Sequence, residues 1–280
     1  MNKIQIIYHQ PNTPLCLTGL ETGMEGGMCT LEKRGDIFIL TITGNDEHRL
    51  NPNLIDSIRS ALDRVKSDPG SSGPTALITT AHGKFFSNGY DLSWALSDTA
   101  QAETRPKIMS KKLRHLVSDL LSLPMPTIAA VTGHASAAGL ILALSHDYLL
   151  MRKGRGFLYM NELDIGYKIP NWFMQIVKSK IASPKVWRDV VLKPARITAE
   201  MGVDWGIVDS AHDGVEETLD AAVRLGAELV KRKWDGKVYA DNRRTVFATV
   251  LTALGCDETV GDSGEDGSVA TSASDAVPRL

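Results

Sequence analysis

An α/β core followed by a helical C-terminal region is the architecture the sequence predicts, and two observations predict it. Up to Met151, short runs of aliphatic and β-branched residues alternate with segments of helical periodicity. From Asn171 to about Leu254 the helical pattern persists almost throughout. With 43% hydrophobic and 23% charged residues, the 280-residue chain has the make-up of an ordinary globular protein of one large domain or two small ones.

Taken in order, residues 1–27 carry one short apolar patch, Ile4 to Tyr8, too short for a secretory signal, and lack the arginines of a transit peptide. They are expected to be a dispensable, poorly ordered extension. "TLEKRGDIFILTIT" predicts two strands around a polar turn at Lys33 to Asp36. Asn51-Pro52 marks a helix start, a capping side chain before proline at the first helical position, and Leu54, Ile55, Ile58, Leu62 and Val65 follow at helical spacing. "SDPGSSGP" is a loop and "TALITT" a buried strand. The polar stretch Ser97 to Arg105 is expected to be mobile. A helix runs through Leu113, Leu116, Val117, Leu120 and Leu121, and "PTIAAVTG" and "DYLLM" are further strands. The last 24 residues are rich in Gly, Ser and Asp with little to bury, and are expected to be disordered. No repeat at a fixed period is found.

Charge and cysteine usage exclude several function classes. A net charge of −2 argues against nucleic-acid binding, which usually brings a basic excess. Cys16, Cys29 and Cys256 are odd in number and widely spaced, without a C-x-x-C, so neither a disulfide framework nor a zinc site is indicated and a reducing compartment fits best. No apolar run approaches a membrane span, and no H-E-x-x-H or comparable spacing points to a metal.

"GHASAAGLILALSHD" (133–147) is the unusual stretch. Gly133, Ala135, Ala137, Ala138 and Gly139 carry at most a methyl group at the entrance to an apolar helix, and no carboxylate appears before Asp147. Close packing explains this blandly. The sharper explanation is that the backbone is the working part, since a helix start offers unpaired N–H groups and a positive dipole end, and small residues let an anion come close.

Paired with "FFSNGYDL" (85–92), also after a strand, this stretch resembles the two signatures of the crotonase, or enoyl-CoA hydratase/isomerase, family, in the same order and spacing. The similarity runs from about Cys29 to the helices near Leu254. The resemblance implies a spiral of ββα units over 28–190, a helical region over 191–256 and a tail over 257–280. It also implies acyl-CoA thioester substrates and assembly as a homotrimer. The family stabilises an enolate-like thioester oxygen with two backbone N–H groups, which map here to Tyr90 and Ala138. Ala137-Ala138-Gly139 stands where many relatives have three glycines. Hydratases of the family hold a water between two glutamates. The first of those positions is Ile141 here, and the second is Glu162 in "YMNELDIGYKIPNWF" (159–173), a pattern similar to monofunctional Δ3,Δ2-enoyl-CoA isomerases of plants. What the resemblance implies is therefore an isomerase with Glu162 as sole base, no cofactor beyond the CoA of the substrate, and no metal. Another activity of the family, hydratase or thioesterase, and a non-catalytic CoA-binding subunit are the alternatives.

Around these, Ser87, Asn88, Gly89, Asp91, Leu92, Trp94, Gly139, Ile141 and Phe173 are candidate substrate-site residues, and Lys84 a candidate for a CoA phosphate. Each has a plainer reading: Asp91 caps the loop, the aromatic residues belong to the core, and Lys84 is solvated surface. Asp164 shares the face of Glu162 only if that segment is extended. Ser136 lacks a G-x-S-x-G setting, so a hydrolase is a poor reading. The final Pro278-Arg279-Leu280 resembles a variant peroxisomal targeting tripeptide, which implies an import receptor as partner and a peroxisomal enzyme.

Overall fold

The computed structural model describes residues 27–259, apart from 46, 72 and 257. Most of the expected extension and tail, with the Pro278-Arg279-Leu280 tripeptide, lies outside the described residues. The strands are β1 (Cys29–Arg34), β2 (Ile37–Ile42), β3 (Ala76–Ala81), β4 (Phe85–Ser87), β5 (Thr127–Val131), β6 (His134–Ser136), β7 (Tyr148–Arg152), β8 (Leu158–Tyr159) and β9 (Ser210–His212). The α-helices are α1 (Pro52–Ser67), α2 (Leu92–Leu96), α3 (Thr104–Leu121), α4 (Ala138–Leu144), α5 (Asn171–Lys180), α6 (Pro184–Val191), α7 (Ala199–Asp204), α8 (Val215–Val230), α9 (Gly236–Val246) and α10 (Ala248–Leu254).

Two sheets carry the strands. The larger has the order β1-β2-β3-β5-β7-β9, parallel except at the β1–β2 hairpin, and the smaller is β4-β6-β8, parallel throughout. Three times in succession the chain runs a strand of the large sheet, then one of the small sheet, then helix: β3-β4-α2, β5-β6-α4 and β7-β8-α5. This is the expected ββα spiral. β3 and β5 are buried along their whole length, as strands covered on both faces must be. One face packs under α8 through Ile37, Ile39, Ile78, Ile128 and Leu150, and the other holds the main core with α1, α3 and α4. α4 is apolar all round because it is buried all round.

Local signals behave as the chemistry of the residues requires. The Asn51 side chain accepts the Leu54 N–H at the start of α1, with Pro52 behind it. Three expectations are corrected. Ser97–Arg105 holds a 3₁₀ turn at Thr99–Gln101 and the start of α3, because Arg105 reaches back to donate to the Trp94 carbonyl and the Ser97 hydroxyl at the end of α2. The C-terminal region is not wholly helical: β9 completes the large sheet beside β7, tied by Leu149 N–H to the Asp209 carboxylate at 2.7 Å. Glu258, within the tail expected to be disordered, is anchored. Its carboxylate accepts the first N–H of α5 at 2.8 Å, and its carbonyl accepts the Ser110 hydroxyl. The expected boundary at 190/191 falls within the last turn of α6.

Candidate active site

Three turns, each following a strand of the small sheet, build the site. The first follows β4. Leu50 N–H donates to the Gly89 carbonyl and Asp91 N–H to the Leu50 carbonyl, so a parallel bridge engages both neighbours of Tyr90 and leaves its own N–H outside the pairing. The Ser87 hydroxyl donates to the His48 carbonyl and Asn88 N–H to that of Glu47, pinning the loop from below. The Asp91 carboxylate caps α2 by accepting Trp94 N–H, and Asn51 donates its amide to the same carboxylate at 3.2 Å. Asn51 therefore caps α1 and braces the Tyr90 loop at once. Sequence reading found only the first role, because the second depends on a partner 40 residues away.

The second turn follows β6. Ala137 has φ 51° and ψ −124°, a backbone conformation rarely adopted by a residue with a side chain, and it starts α4 at Ala138. Leu140 and Ile141 already donate to the Ala137 carbonyl, while Ala138 and Gly139, first in the helix, have no intrahelical acceptor. No backbone acceptor for the Tyr90 or Ala138 N–H is found among the described residues. The two turns interlock. A Cβ built on Gly139 would lie 2.2 Å from the Ser87 carbonyl oxygen, and one on Gly89, whose φ is +74°, would lie 3.0 Å from Ala137 Cβ and 3.4 Å from Ala138 N. The missing side chains thus bring two free N–H groups onto neighbouring backbones.

The third turn follows β8 and carries Glu162, which is 2% exposed. Its carbonyl accepts Ile165 and Tyr167 N–H, fixing the main chain, while its Oε2 has no hydrogen-bond partner among the described residues. Burial pushes its carboxyl up to about 7. The phenol of Tyr90 is also raised, by burial above all and in smaller part by the Glu162 charge, which puts the two side chains in one electrostatic neighbourhood. Phe173 lies parallel to Tyr90 with centroids 6.4 Å apart, and Trp172 meets Phe173 edge-on at 4.3 Å. Trp172 Nε1 is buried without a partner. Ile141 is fully buried in the first turn of α4. Leu92 and Trp94 are half-buried against the main core.

Not every candidate joins this group. Lys84 sits 5.2 Å above the Phe85 ring and, with Arg155 and Arg196, adds to the burial that lowers the pKa of His134. Residues 162–166 form a turn, not a strand, so Asp164 does not share the Glu162 face; it is exposed and accepts the Tyr159 hydroxyl. His146 is a core histidine, its Nε2 2.8 Å from the Thr79 hydroxyl, and burial pushes it down to about 4. No group of side chains suited to a metal ion occurs among the described residues. A roomy cavity of about 590 Å³ lies elsewhere, beside α9, lined by Lys180, Trp234, Tyr239, Arg243 and Phe247. Arg243 is committed there to the Leu123 and Met125 carbonyls and to Asp147 at 2.9 Å. That cavity is well formed, but it holds none of the three groups assembled above.

Residues 34–243 match the family model described as enoyl-CoA hydratase/isomerase. The chain is 57% identical over 224 residues to the peroxisomal enoyl-CoA delta isomerase 1 of Arabidopsis thaliana, covering 80% of this chain and 91% of that one. It is 49% identical to the peroxisomal enoyl-CoA delta isomerase 2 of the same plant, over 83% of this chain and 98% of the other. Among solved structures, a probable enoyl-CoA hydratase of Mycobacterium tuberculosis superposes with a TM-score of 0.73 at 22% identity, covering 81% of this chain and 91% of that one, which speaks to the fold.

Proposed function

The chain belongs to the enoyl-CoA hydratase/isomerase family, and we propose that it moves the double bond of 3-enoyl-CoA, cis or trans, to give trans-2-enoyl-CoA in β-oxidation of unsaturated fatty acids. The observation that carries this reading is one dry carboxylate, Glu162, beside two turns with free backbone N–H groups, while the aliphatic Ile141 stands where hydratases place a second carboxylate. A proton shift needs one base. Hydration needs a second group to hold the water.

The C2 hydrogens of a 3-enoyl thioester are acidic because the carbonyl and the alkene both accept the charge. Glu162 takes one of them, the C–H electron pair becomes the π bond between C1 and C2 of a dienolate while the carbonyl π pair moves onto oxygen, and the negative charge on the thioester oxygen is met by the N–H groups of Tyr90 and Ala138. Glu162 then returns the proton to C4, leaving C2=C3 and restoring the carbonyl. Removing one such N–H donor typically costs an enzyme about 3 to 4 kcal/mol of transition-state stabilisation. A carboxyl that titrates near 7 suits a base at neutral pH, and a dry site keeps water from the intermediate. Ser87, Asn88, Gly89 and Gly139 hold the donors in place. Asp91 braces the Tyr90 loop against α2 and Asn51, and Leu92, Trp94 and Phe173 wall the acyl group.

The names of the two Arabidopsis relatives and the Pro278-Arg279-Leu280 ending support a peroxisomal location, reached through the import receptor for such tripeptides. The test of the activity is to supply 3-hexenoyl-CoA and follow the conjugated 2-enoyl thioester. Wild type is expected to convert it and to hydrate 2-enoyl-CoA little. Glu162→Gln, nearly isosteric, is expected to keep fold and CoA affinity and lose roughly 10²- to 10⁴-fold in rate. A near-normal rate in that variant would place the base elsewhere, and no turnover by wild type would leave a CoA-binding subunit.

A further inference from the structure

Tyr159 is bonded to both halves of the site. Its carbonyl accepts the Ala137 N–H at 2.7 Å, immediately before the Ala138 donor, and its hydroxyl donates to the Asp164 carboxylate across the turn that carries Glu162. We propose that this Tyr159–Asp164 pair is a clasp that sets the position of the Glu162 carboxylate relative to the Ala138 N–H, making both side chains positioning residues. The inference rests on the isomerase reading above.

Three observations support it. The Glu162 carboxylate oxygen Oε2 has no hydrogen-bond partner, and the carboxylate's bond is to the backbone of Glu162 itself, so the shape of its turn decides where the group sits. Backbone bonds hold the main chain of that turn, from Ile165 N–H to the Asn161 and Glu162 carbonyls and from Tyr167 N–H to the Glu162 carbonyl, and the Tyr159–Asp164 bond adds a side-chain tie across it from the strand side. Ala137, in its unfavourable conformation, persists where its surroundings over-determine it, and the Tyr159 carbonyl is the acceptor for its N–H. A carboxylate that is exposed and makes no ion pair among the described residues would ordinarily have little reason to hold a phenol. Here the phenol belongs to a buried tyrosine, covered by the Arg196 guanidinium 5.4 Å above its ring, and a hydroxyl donating to a carboxylate makes a strong, charge-assisted bond. Leu158 and Ile197 exchange backbone bonds at 2.9 and 3.0 Å, which fixes the strand end from which Tyr159 reaches out.

The experiment compares Tyr159→Phe, Asp164→Ala, Asp164→Asn and the double variant Tyr159→Phe/Asp164→Ala on 3-hexenoyl-CoA. A displacement of about 1 Å at a reacting group costs on the order of 10²-fold, so kcat is expected to fall roughly 10- to 100-fold in Tyr159→Phe and Asp164→Ala, with KM within twofold. The acid limb of kcat/KM is expected to move to lower pH, because a loosened turn admits water to Glu162. Asp164→Asn, whose amide oxygen still accepts the phenol, restores most of the rate, and the double variant is no worse than either single one. The clasp is overturned if both single variants keep wild-type kcat. It is equally overturned if kcat falls with the acid limb unmoved and the effects add, the signature of a purely structural bond. If Asp164→Asn is as damaging as Asp164→Ala while Glu162→Gln stays active, Asp164 is itself the base and the proton-shuttle reading fails instead.

Discussion

Glu162 destabilises the fold when it is ionised. In the unfolded chain it ionises near 4.5, in the folded one near 7, and the cause is burial. A carboxyl raised in this way contributes stability that is fully present below about pH 4.5 and is lost as pH rises through about 7. The stability lost at high pH is about 3 kcal/mol for a rise of that size. Glu162→Gln, neutral at every pH, is therefore expected to exceed wild type in stability by about 2 to 3 kcal/mol at pH 8 and to match it below pH 4.5, as read by urea unfolding at the two pH values. Equal stabilities at both would mean a hydrated carboxylate. If Glu162 is the proposed base, it must be charged to take the C2 proton, so kcat/KM is expected to rise with pH through a limb centred near 7. A limb near 4.5 would contradict the buried base.

At the scale of elements, the entrance of α4 makes opposite forecasts for the two small residues flanking Ala138. Ala137 bears a conformational cost of about 1 to 3 kcal/mol. Ala137→Gly relieves that cost while adding roughly 0.5 to 1 kcal/mol of chain entropy to be lost on folding. Urea unfolding is expected to find this variant between neutral and about 2 kcal/mol more stable. Gly139→Ala pushes a methyl against the Ser87 backbone, which cannot swing away, and is expected to cost roughly 3 kcal/mol or more together with most of the activity. A wild-type stability for Gly139→Ala would dissolve the interlock. These elements differ in how far the sequence reveals them. α1 is plain because its cap, its proline and its apolar spacing are all local. β3, β5 and β7 are plain because strands buried on both faces read as apolar runs. β9 is three half-buried residues ending in His212, and its only claim to be a strand is its pairing with β7, which no local pattern encodes. The turn at 162–166 likewise has no period. Glu162 is legible through resemblance, whereas the Asn51–Asp91 and Tyr159–Asp164 bonds, set by the tertiary fold, are not.

For the whole molecule, the surface left by the C-terminal helices is more apolar than an isolated chain needs. Val246 is 71% exposed, Leu192 68% and Val238 57%, and Trp234 borders the cavity beside α9. Assembly as a homotrimer would cover such a surface, and light scattering at micromolar concentration is expected to report a trimer mass; a monomer mass would count against it. A reporter bearing the last ten residues is expected to collect in peroxisomes of plant cells, and a diffuse signal would refute the address. The spiral path has one further consequence. Tyr90, Ala138 and Glu162 follow successive strands of the small sheet, so a growing polypeptide carries no partial catalyst while it is being made. Under the proposed mechanism, β8 and the turn behind it must leave the ribosome before dienolate chemistry becomes available.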